Sequence, residues 1–537
     1  MSDWTIGAVL DAIAEVAPDR PMTIGADRQS TFAETADRTR RLANFLTGRG
    51  FGVYGERETL ERWECGQDRV ALIMHNDLYL DAVIGCLKAR TVPVNVNYYC
   101  TPREVSELLD YIKPRAVLYH RSLGAKFADV LPPAGAELLI AIDDGSDAPL
   151  LAGAITLDEV LAAGDVEQDI SPSPNDLLMI CTGGATGRPK GVMWRQGDVY
   201  VSLMNGADHV TVSEIHDKVR HAGPPCFVVS PLIHAAGIWT AFSAVLSGQT
   251  TVLYETKVKF DPRTVLETAE RHKVGLMTMV GDAYAAPLLE ELGRRPYKLS
   301  SLFAIGFGEA VTDPKYQAAL LEYLPQVTII NGYGPSAKMG VGRSQRGDHQ
   351  DTFELWAGGR VLSEDYTRLL EPGEAEINWI AHNGRIPLGY FSDPEATLGT
   401  FPEVQGQRVV VCGDRASIEV DGTLRLLRRD SLAVNSAGET VFVEEVEELL
   451  RAHPEVADAL VVGKPSERWG EKVVALIVLH DGAELAHDLL HKRCAALARF
   501  GAPNEFIVVE HIRRLGNGKA DYRWAASRAA KQSPLAT

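Results

Sequence analysis

The sequence predicts an α/β protein, with a large N-terminal domain of α/β sheet subdomains plus a small β-rich subdomain, and a small α+β domain at the C-terminal end. Three observations predict it. Short apolar runs alternate with amphipathic stretches through most of the chain, the rhythm of parallel strands joined by helices. One run, Leu177 to Cys181, opens at once into a glycine- and threonine-rich loop (LLMICTGGATGRPKGV), the kind of strand-to-loop corner at which an α/β sheet offers backbone amides to an anion. The final hundred or so residues interleave apolar strands (VVALIVLH, EFIVVEHI) with helical stretches.

Residues 3–50 read as a helix, a short hairpin and a second helix, with apolar residues at helical spacing. DRVALIMHNDLYLDAVIGCLKARTVPVNVN is strand, helix, strand, and PRAVLYHRSLGAKFADVLPP to LLIAIDD repeats the unit. Between the first two blocks, FGVYGERETLERWECGQ is long and charged for a connection, and its pattern suggests no role. Beyond the loop, Trp194 to Met204 is expected to be helical and the polar stretch to Pro225 irregular. CFVVSPLIHAAGIWTAFSAVLSG then places His234 at a strand-to-helix corner, and TVLYE, FDPRTVLETAERHKV and GLMTMVGDAYAAPLLEELG keep the α/β rhythm. GRIPLGYFSDPEATLGTF and VVVCGDRASIEVDGTLRLLRRD suit the β-rich subdomain.

Composition narrows the function classes. Lys plus Arg 54 against Asp plus Glu 72 gives a net charge of −18, which disfavours nucleic acid or an anionic membrane as partner. Hydrophobic content of 45% with 23% charged is that of a globular protein, and no apolar run reaches the eighteen or so residues of a membrane span. The seven cysteines have no metal-ligand spacing, so neither a disulfide nor a metal centre is expected. The N-terminal residues carry acids and no apolar core, so a cytoplasmic location is expected.

The loop itself is built for phosphate. Gly183 and Gly184 let amides turn toward an anion, Thr182 and Thr186 add hydroxyl donors, and Lys190 brings a positive charge. It lacks the Gly-Lys-Ser/Thr of the common triphosphatase loop, since Pro189 separates Arg188 from the lysine. The stretch resembles the phosphate loop of the adenylate-forming superfamily of acyl-CoA synthetases, luciferases and peptide-synthetase adenylation domains, departing only at Ala185, where a hydroxyl residue is usual. Further segments follow in the superfamily's order as far as residue 519, and VPVNVNYYCTPREVSELL, KGVMWR, ERWGEKVVALI and NGKADYRW most resemble ligases of long or polycyclic acids.

The resemblance implies the following roles. Gly308, Glu309 and Ala310 would form the turn against adenine, with Tyr333 stacked on the base and Asn331, Gly332 and Gly334 beside it. Ser336 would offer its hydroxyl to the α-phosphate, and Asp414 would bind the ribose with Arg429 close by. His234 would wall the acyl pocket, with Ala235, Ala236 and Gly237 leaving room beside it. Gly281, Gly308 and Gly332, with Ala283, Ala285 and Ala286, would keep that pocket wide for a bulky acid, although alanines in a helix are equally ordinary packing. Asp430 matches the hinge, which divides the chain into residues 1–429, binding adenylate and acyl group, and a mobile domain of residues 430–537. In that domain Lys519 matches the catalytic lysine of adenylation, and Arg428, Ala437, Gly438 and Glu439 would face coenzyme A.

Enzymes of this type first join a carboxylate to AMP from ATP with Mg²⁺, then pass the acyl group to CoA after the C-terminal domain turns. Ala337 stands where the superfamily has the glutamate that grips Mg²⁺. The adenylate-contacting positions persist. The expectation is therefore an acyl-CoA ligase specialised for the thioester-forming half, using CoA and the AMP moiety of an acyl-adenylate, similar to the thioesterification-only ligase of platensimycin and platencin biosynthesis. A separate adenylating enzyme would supply the adenylate, and the use of ATP and Mg²⁺ is left open. Two alternatives stay open: a complete ATP-dependent synthetase, with Glu309 or another acid holding the metal, and a non-catalytic acyl-adenylate or CoA binding protein. By analogy a homodimer is compatible with the family.

Overall fold

The computed structural model describes residues 4–131, 135–182, 190–255, 257, 260–279, 281–307, 312, 314–333, 342–344, 352–355, 358–363, 365–374, 378–429, 433–436, 439–451, 453–466, 469–480, 483, 502–513 and 522–531. Among these residues the strands fall into three sheets.

The first has eight strands, in the order Gly389–Tyr390, Lys190–Arg195, Leu177–Thr182, Val92–Asn95, Arg69–Ile73, Ala116–His120, Leu138–Ile142 and Ile155–Thr156. From Leu177–Thr182 to Ile155–Thr156 neighbours run parallel, and the two strands at the opposite edge are antiparallel. Parallel strands need covered faces. Helices Phe32–Gly48 and Tyr79–Lys88 contribute to that cover, and the latter is buried along its whole length.

The second sheet is longer. Its parallel part holds Pro21–Ile24, Thr251–Leu253, Cys226–Val228, Leu276–Met279, Ala304–Phe307 and Thr328–Tyr333, with Thr23 paired to Thr251. It continues through Gly342–Ser344 and Thr352–Leu355 into antiparallel strands Leu424–Arg429, Gln407–Ile418, Asn378–Asn383 and Gly359–Leu362, the expected β-rich part. The strands from Ala433 onward form a separate five-stranded sheet with its own apolar clusters, packed by helices Val443–Arg451 and Tyr522–Lys531.

Local sequence accounts for the helix starts. Thr31 with Glu34, Thr101 with Glu104, Thr156 with Glu159 and Thr211 with Glu214 each close a reciprocal capping box. The last of these corrects an expectation, because residues 212–220 are helical where the polar stretch reads as irregular. Trp194 corrects another. Lys190–Arg195 is a strand, Trp194 is fully buried within it, and the helix starts only at Gln196. A continuous apolar run such as GVMW has no period of its own, so sheet pairing decides its state.

Candidate active site

The strands flanking the phosphate-loop segment, Leu177–Thr182 and Lys190–Arg195, form an antiparallel hairpin. Cys181 pairs with Gly191 and Thr182 with Lys190, so both ends of the loop are held in register by a ladder that runs back to Leu177 and Arg195. Gly183, Gly184 and Thr186, with Ala185, lie outside the described residues. Lys190 ends the loop, with Nζ 3.9 Å from Asp393 Oδ2 and 5.1 Å from the centre of the Tyr390 ring. Burial pushes the neighbouring Cys181 thiol up to about 12, so at neutral pH no thiolate stands beside the loop.

Two buried asparagines hold the corner that carries His234, and one of them, Asn95, ties it to this hairpin. Asn95, at the end of its strand, accepts from the Cys181 amide (2.6 Å) and donates to the carbonyls of Cys181 (3.2 Å) and Ile233 (2.8 Å). Asn76 accepts from Leu232 N (2.7 Å) and donates to the carbonyls of Ser230 (3.3 Å) and Tyr254 (3.1 Å). Between them the two amides satisfy the Ser230, Leu232 and Ile233 backbone groups of the irregular turn between strand and helix. His234 is the N-cap of helix Ala235–Val245, half-buried, with no capping bond from its ring. Gly237 is not spare room: a Cβ there would lie 2.7 Å from the Pro231 carbonyl oxygen, so its small size serves close packing of the helix on the turn before it. Ala235 is buried and Ala236 half-buried on the same turn.

Along the second sheet, Gly281 starts helix Gly281–Arg294 with φ +46°, a backbone geometry that favours glycine. Ala285 on that helix is fully buried in an apolar cluster, which is ordinary core packing. Asn331 and Gly332 lie on Thr328–Tyr333, where Asn331 pairs with Phe307 on one side and Ser344 on the other. The Asn331 amide exchanges hydrogen bonds with that of Gln317 (3.3 and 3.4 Å). Tyr333 ends the strand opposite Gly342. Gly308, Glu309, Ala310, Gly334, Ser336 and Ala337 lie outside the described residues.

Asp414 and Arg429, distant in sequence, are cross-strand partners at an irregularity in the ladder, just after Gly413 at φ +83°. Arg428 is on the same strand as Arg429, and Asp430 lies outside the described residues. Ser436 pairs with Glu439, and Ala437 and Gly438 lie outside the described residues. Lys519 is also outside them. The helix three residues later is anchored by a buried carboxylate: Glu447 accepts from Val461 N (2.8 Å), Arg451 (2.8 Å) and the Tyr522 hydroxyl (3.0 Å). Burial raises the Glu447 pKa, and these donors oppose that shift.

A second polar cluster sits at the ends of Arg69–Ile73 and Ala116–His120. The His75 amide donates to His120 Nδ1 (3.0 Å), and the His75 ring lies 4.8 Å from that of Tyr98. Burial lowers His75 to about 4 and His120 to about 3, so both rings are neutral at pH 7. Asn95, Asn76, Asp393, Gln317 and Glu447 are site-adjacent residues that sequence reasoning missed. The visible signal for the two asparagines was an amide closing an otherwise apolar strand (VPVN, ALIMHN).

A family model described as AMP-binding enzyme matches residues 10–378, and one for the AMP-binding enzyme C-terminal domain matches residues 445–519. The chain is 37% identical to the medium-chain acyl-CoA ligase Mig of Mycobacterium avium, covering 98% of each chain. It is 32% identical to the 3-oxocholest-4-en-26-oate–CoA ligase of Rhodococcus rhodochrous, over 97% of this chain and 95% of that one. Its fold matches the amide bond synthetase McbA of Marinactinospora thermotolerans with a TM-score of 0.77 at 22% identity, over 98% of this chain and 100% of that one.

Proposed function

The chain belongs to the AMP-binding enzyme family, and from that premise we propose that it is an acyl-CoA ligase for a bulky, largely apolar carboxylic acid, specialised for the thioester-forming half of the reaction. The acid class is supported by the relatives, whose names specify medium-chain acids and a steroid acid. The specialisation is carried by Ala337, a methyl side chain at the position of the family's metal-gripping glutamate. The alanine side chain offers Mg²⁺ no oxygen, so the position does not fit the ion.

In the proposed reaction the thiol of CoA loses its proton to solvent and its sulfur attacks the acyl carbonyl carbon of an acyl-adenylate. The C–S bond forms, the bond from that carbon to the phosphate oxygen breaks, and AMP leaves with the electron pair. Lys190, the loop amides of Gly183 and Gly184, and the hydroxyls of Thr182, Thr186 and Ser336 would hold the phosphate of AMP. Asp414 and Arg429 would hold the ribose; their pairing across one ladder supports a shared task. Tyr333, Asn331, Gly332, Gly334 and the Gly308–Glu309–Ala310 turn would receive the base. His234, Ala235 and Gly281 would border the acyl group. Arg428, Ala437, Gly438 and Glu439 would approach CoA once residues 430–537 turn about Asp430, which carries Lys519 out of the site. A separate adenylating enzyme would supply the acyl-adenylate.

A second reading, a complete ATP-dependent synthetase, is favoured by the ligase names of relatives that match the chain over nearly its full length. Mass spectrometry of two parallel reactions separates them: bulky acids with ATP, Mg²⁺ and CoA, and the matching synthetic acyl-adenylates with CoA alone. Acyl-CoA from the adenylates only is the expected result, and product from both reactions establishes the complete synthetase.

A further inference from the structure

The charged segment 51–67, for which the sequence suggests no role, is tied to both flanks of the phosphate-loop hairpin. On one flank Gln67 Oε1 accepts from Leu177 N (2.9 Å), and its Nε2 donates to Asp176 Oδ1 (3.3 Å) and the Arg90 carbonyl (2.8 Å). Arg90 bridges Asp176 to Glu56, each at 3.0 Å. On the other flank the Trp63 carbonyl accepts from Ser392 N (2.8 Å). Ser392 has φ +53°, a conformation that a non-glycine residue keeps only where its surroundings hold it. Beside it, the Tyr111 hydroxyl donates to the Phe391 carbonyl (2.5 Å) and accepts from Gly191 N (3.2 Å), the amide next to Lys190. The backbone on both sides of the Lys190–Asp393 pair is thereby fixed, and Asp393 is itself held as the cap of helix Pro394–Thr400 through Ala396 N (2.9 Å).

We infer that Asp393 is a positioning residue for Lys190: its carboxylate, with the Tyr390 ring, forms a dock that holds the loop lysine back from an incoming phosphate group, and segment 51–67 braces that dock. This rests on the reading of Lys190 as a phosphate contact. An ammonium cannot serve a distant anion while it sits against Asp393, so the dock lowers the apparent affinity for anions by the fraction of time it is occupied. The phosphate of AMP meets the same competition. The pair is partly exposed, with 26% and 36% of the two side chains accessible, which places the effect in the range of exposed ion pairs.

The test is calorimetric binding of inorganic pyrophosphate to the full chain at low ionic strength, with Asp393→Asn, Lys190→Gln and the double variant. Asparagine caps a helix as well as aspartate does, so Asp393→Asn is expected to keep the thermal midpoint of the parent. It is expected to tighten pyrophosphate by about two- to fivefold. Lys190→Gln alone is expected to weaken binding, and adding Asp393→Asn to it is expected to change nothing. Tightening by Asp393→Asn in both backgrounds would overturn the dock, because the effect would then be the general field of one lost negative charge. No tightening by Asp393→Asn, with weaker binding by Lys190→Gln, would overturn the dock and leave the role of Lys190 intact. Unchanged binding by Lys190→Gln, or no binding by any variant, would remove the premise and the dock together.

Discussion

Replacing Asn95 with Ala should uncouple the phosphate-loop hairpin from the corner that carries His234. The amide is 6% exposed and serves three backbone groups, with the Cys181 amide at 2.6 Å and the Ile233 carbonyl at 2.8 Å the tightest. Alanine leaves both buried and unpaired, and each orphaned group costs about 1–3 kcal/mol, so the total is about 4 kcal/mol. Part of the cost falls on the site itself, because the freed groups adjoin Thr182 and His234. Urea unfolding followed by tryptophan fluorescence measures the stability change, and acyl-CoA formation from synthetic adenylates of graded length measures the site. The expected outcome is a lower midpoint at unchanged slope together with a flatter preference among acids. A stability change below about 0.5 kcal/mol, with an unaltered acid preference, would refute the reasoning.

Other outcomes follow from the same chemistry. Ala337→Glu should raise Mg²⁺-dependent adenylate formation, read by pyrophosphate exchange, by roughly 10²–10³, the usual worth of one transition-state electrostatic group; no change would mean that the missing carboxylate is not the defect. Lys519→Ala should barely alter conversion of supplied acyl-adenylate, and a large loss would give this lysine a part in thioester formation. His75, with a folded pKa of about 4 against about 6.5 unfolded, binds its proton more readily in the unfolded chain, so stability is lost as pH falls below 6.5. The loss from His75 is about 2 kcal/mol by pH 5. Urea unfolding at pH 7 and pH 5 should show a shallower pH dependence in His75→Asn than in the parent, and equal slopes would exclude the buried ring as the source.

The parts of the fold legible in the sequence were those with a local signal. The parallel units read correctly because a strand such as RVALI and a helix such as YLDAVIGCLK carry opposite periods within a few residues. The Gly/Thr loop was legible because its chemistry is compressed into one segment. Trp194 was misread since a fully buried run carries no period, whereas the helix Val212–Arg220 announced itself through Thr211 and Glu214 and was passed over. Within the site, the bonds of Asn95 and Asn76 to the His234 corner were illegible for a different reason. Their partners lie more than a hundred residues away, and an asparagine gives no hint of which distant carbonyl it will meet. Segment 51–67 is the extreme case, since its side-chain and main-chain bonds reach Asp176, Leu177 and Ser392.

The pairing of Thr23 with Thr251 has a consequence for how the protein is made. The hairpin of Pro21–Ile24 and Gln29–Thr31 leaves the ribosome early, but the strand that covers its outer edge is encoded more than two hundred residues later. At about 5–20 residues per second of synthesis, that edge waits roughly ten to forty seconds with its amides and carbonyls open. During the wait seven of the eight strands of the first sheet can assemble from the intervening chain, since those from Arg69 to Arg195 are complete before Thr251 appears and Gly389–Tyr390 alone follows later. The second sheet must then close beside a largely assembled neighbour, which makes the nascent hairpin a natural place for chaperone capture and for misjoining between chains.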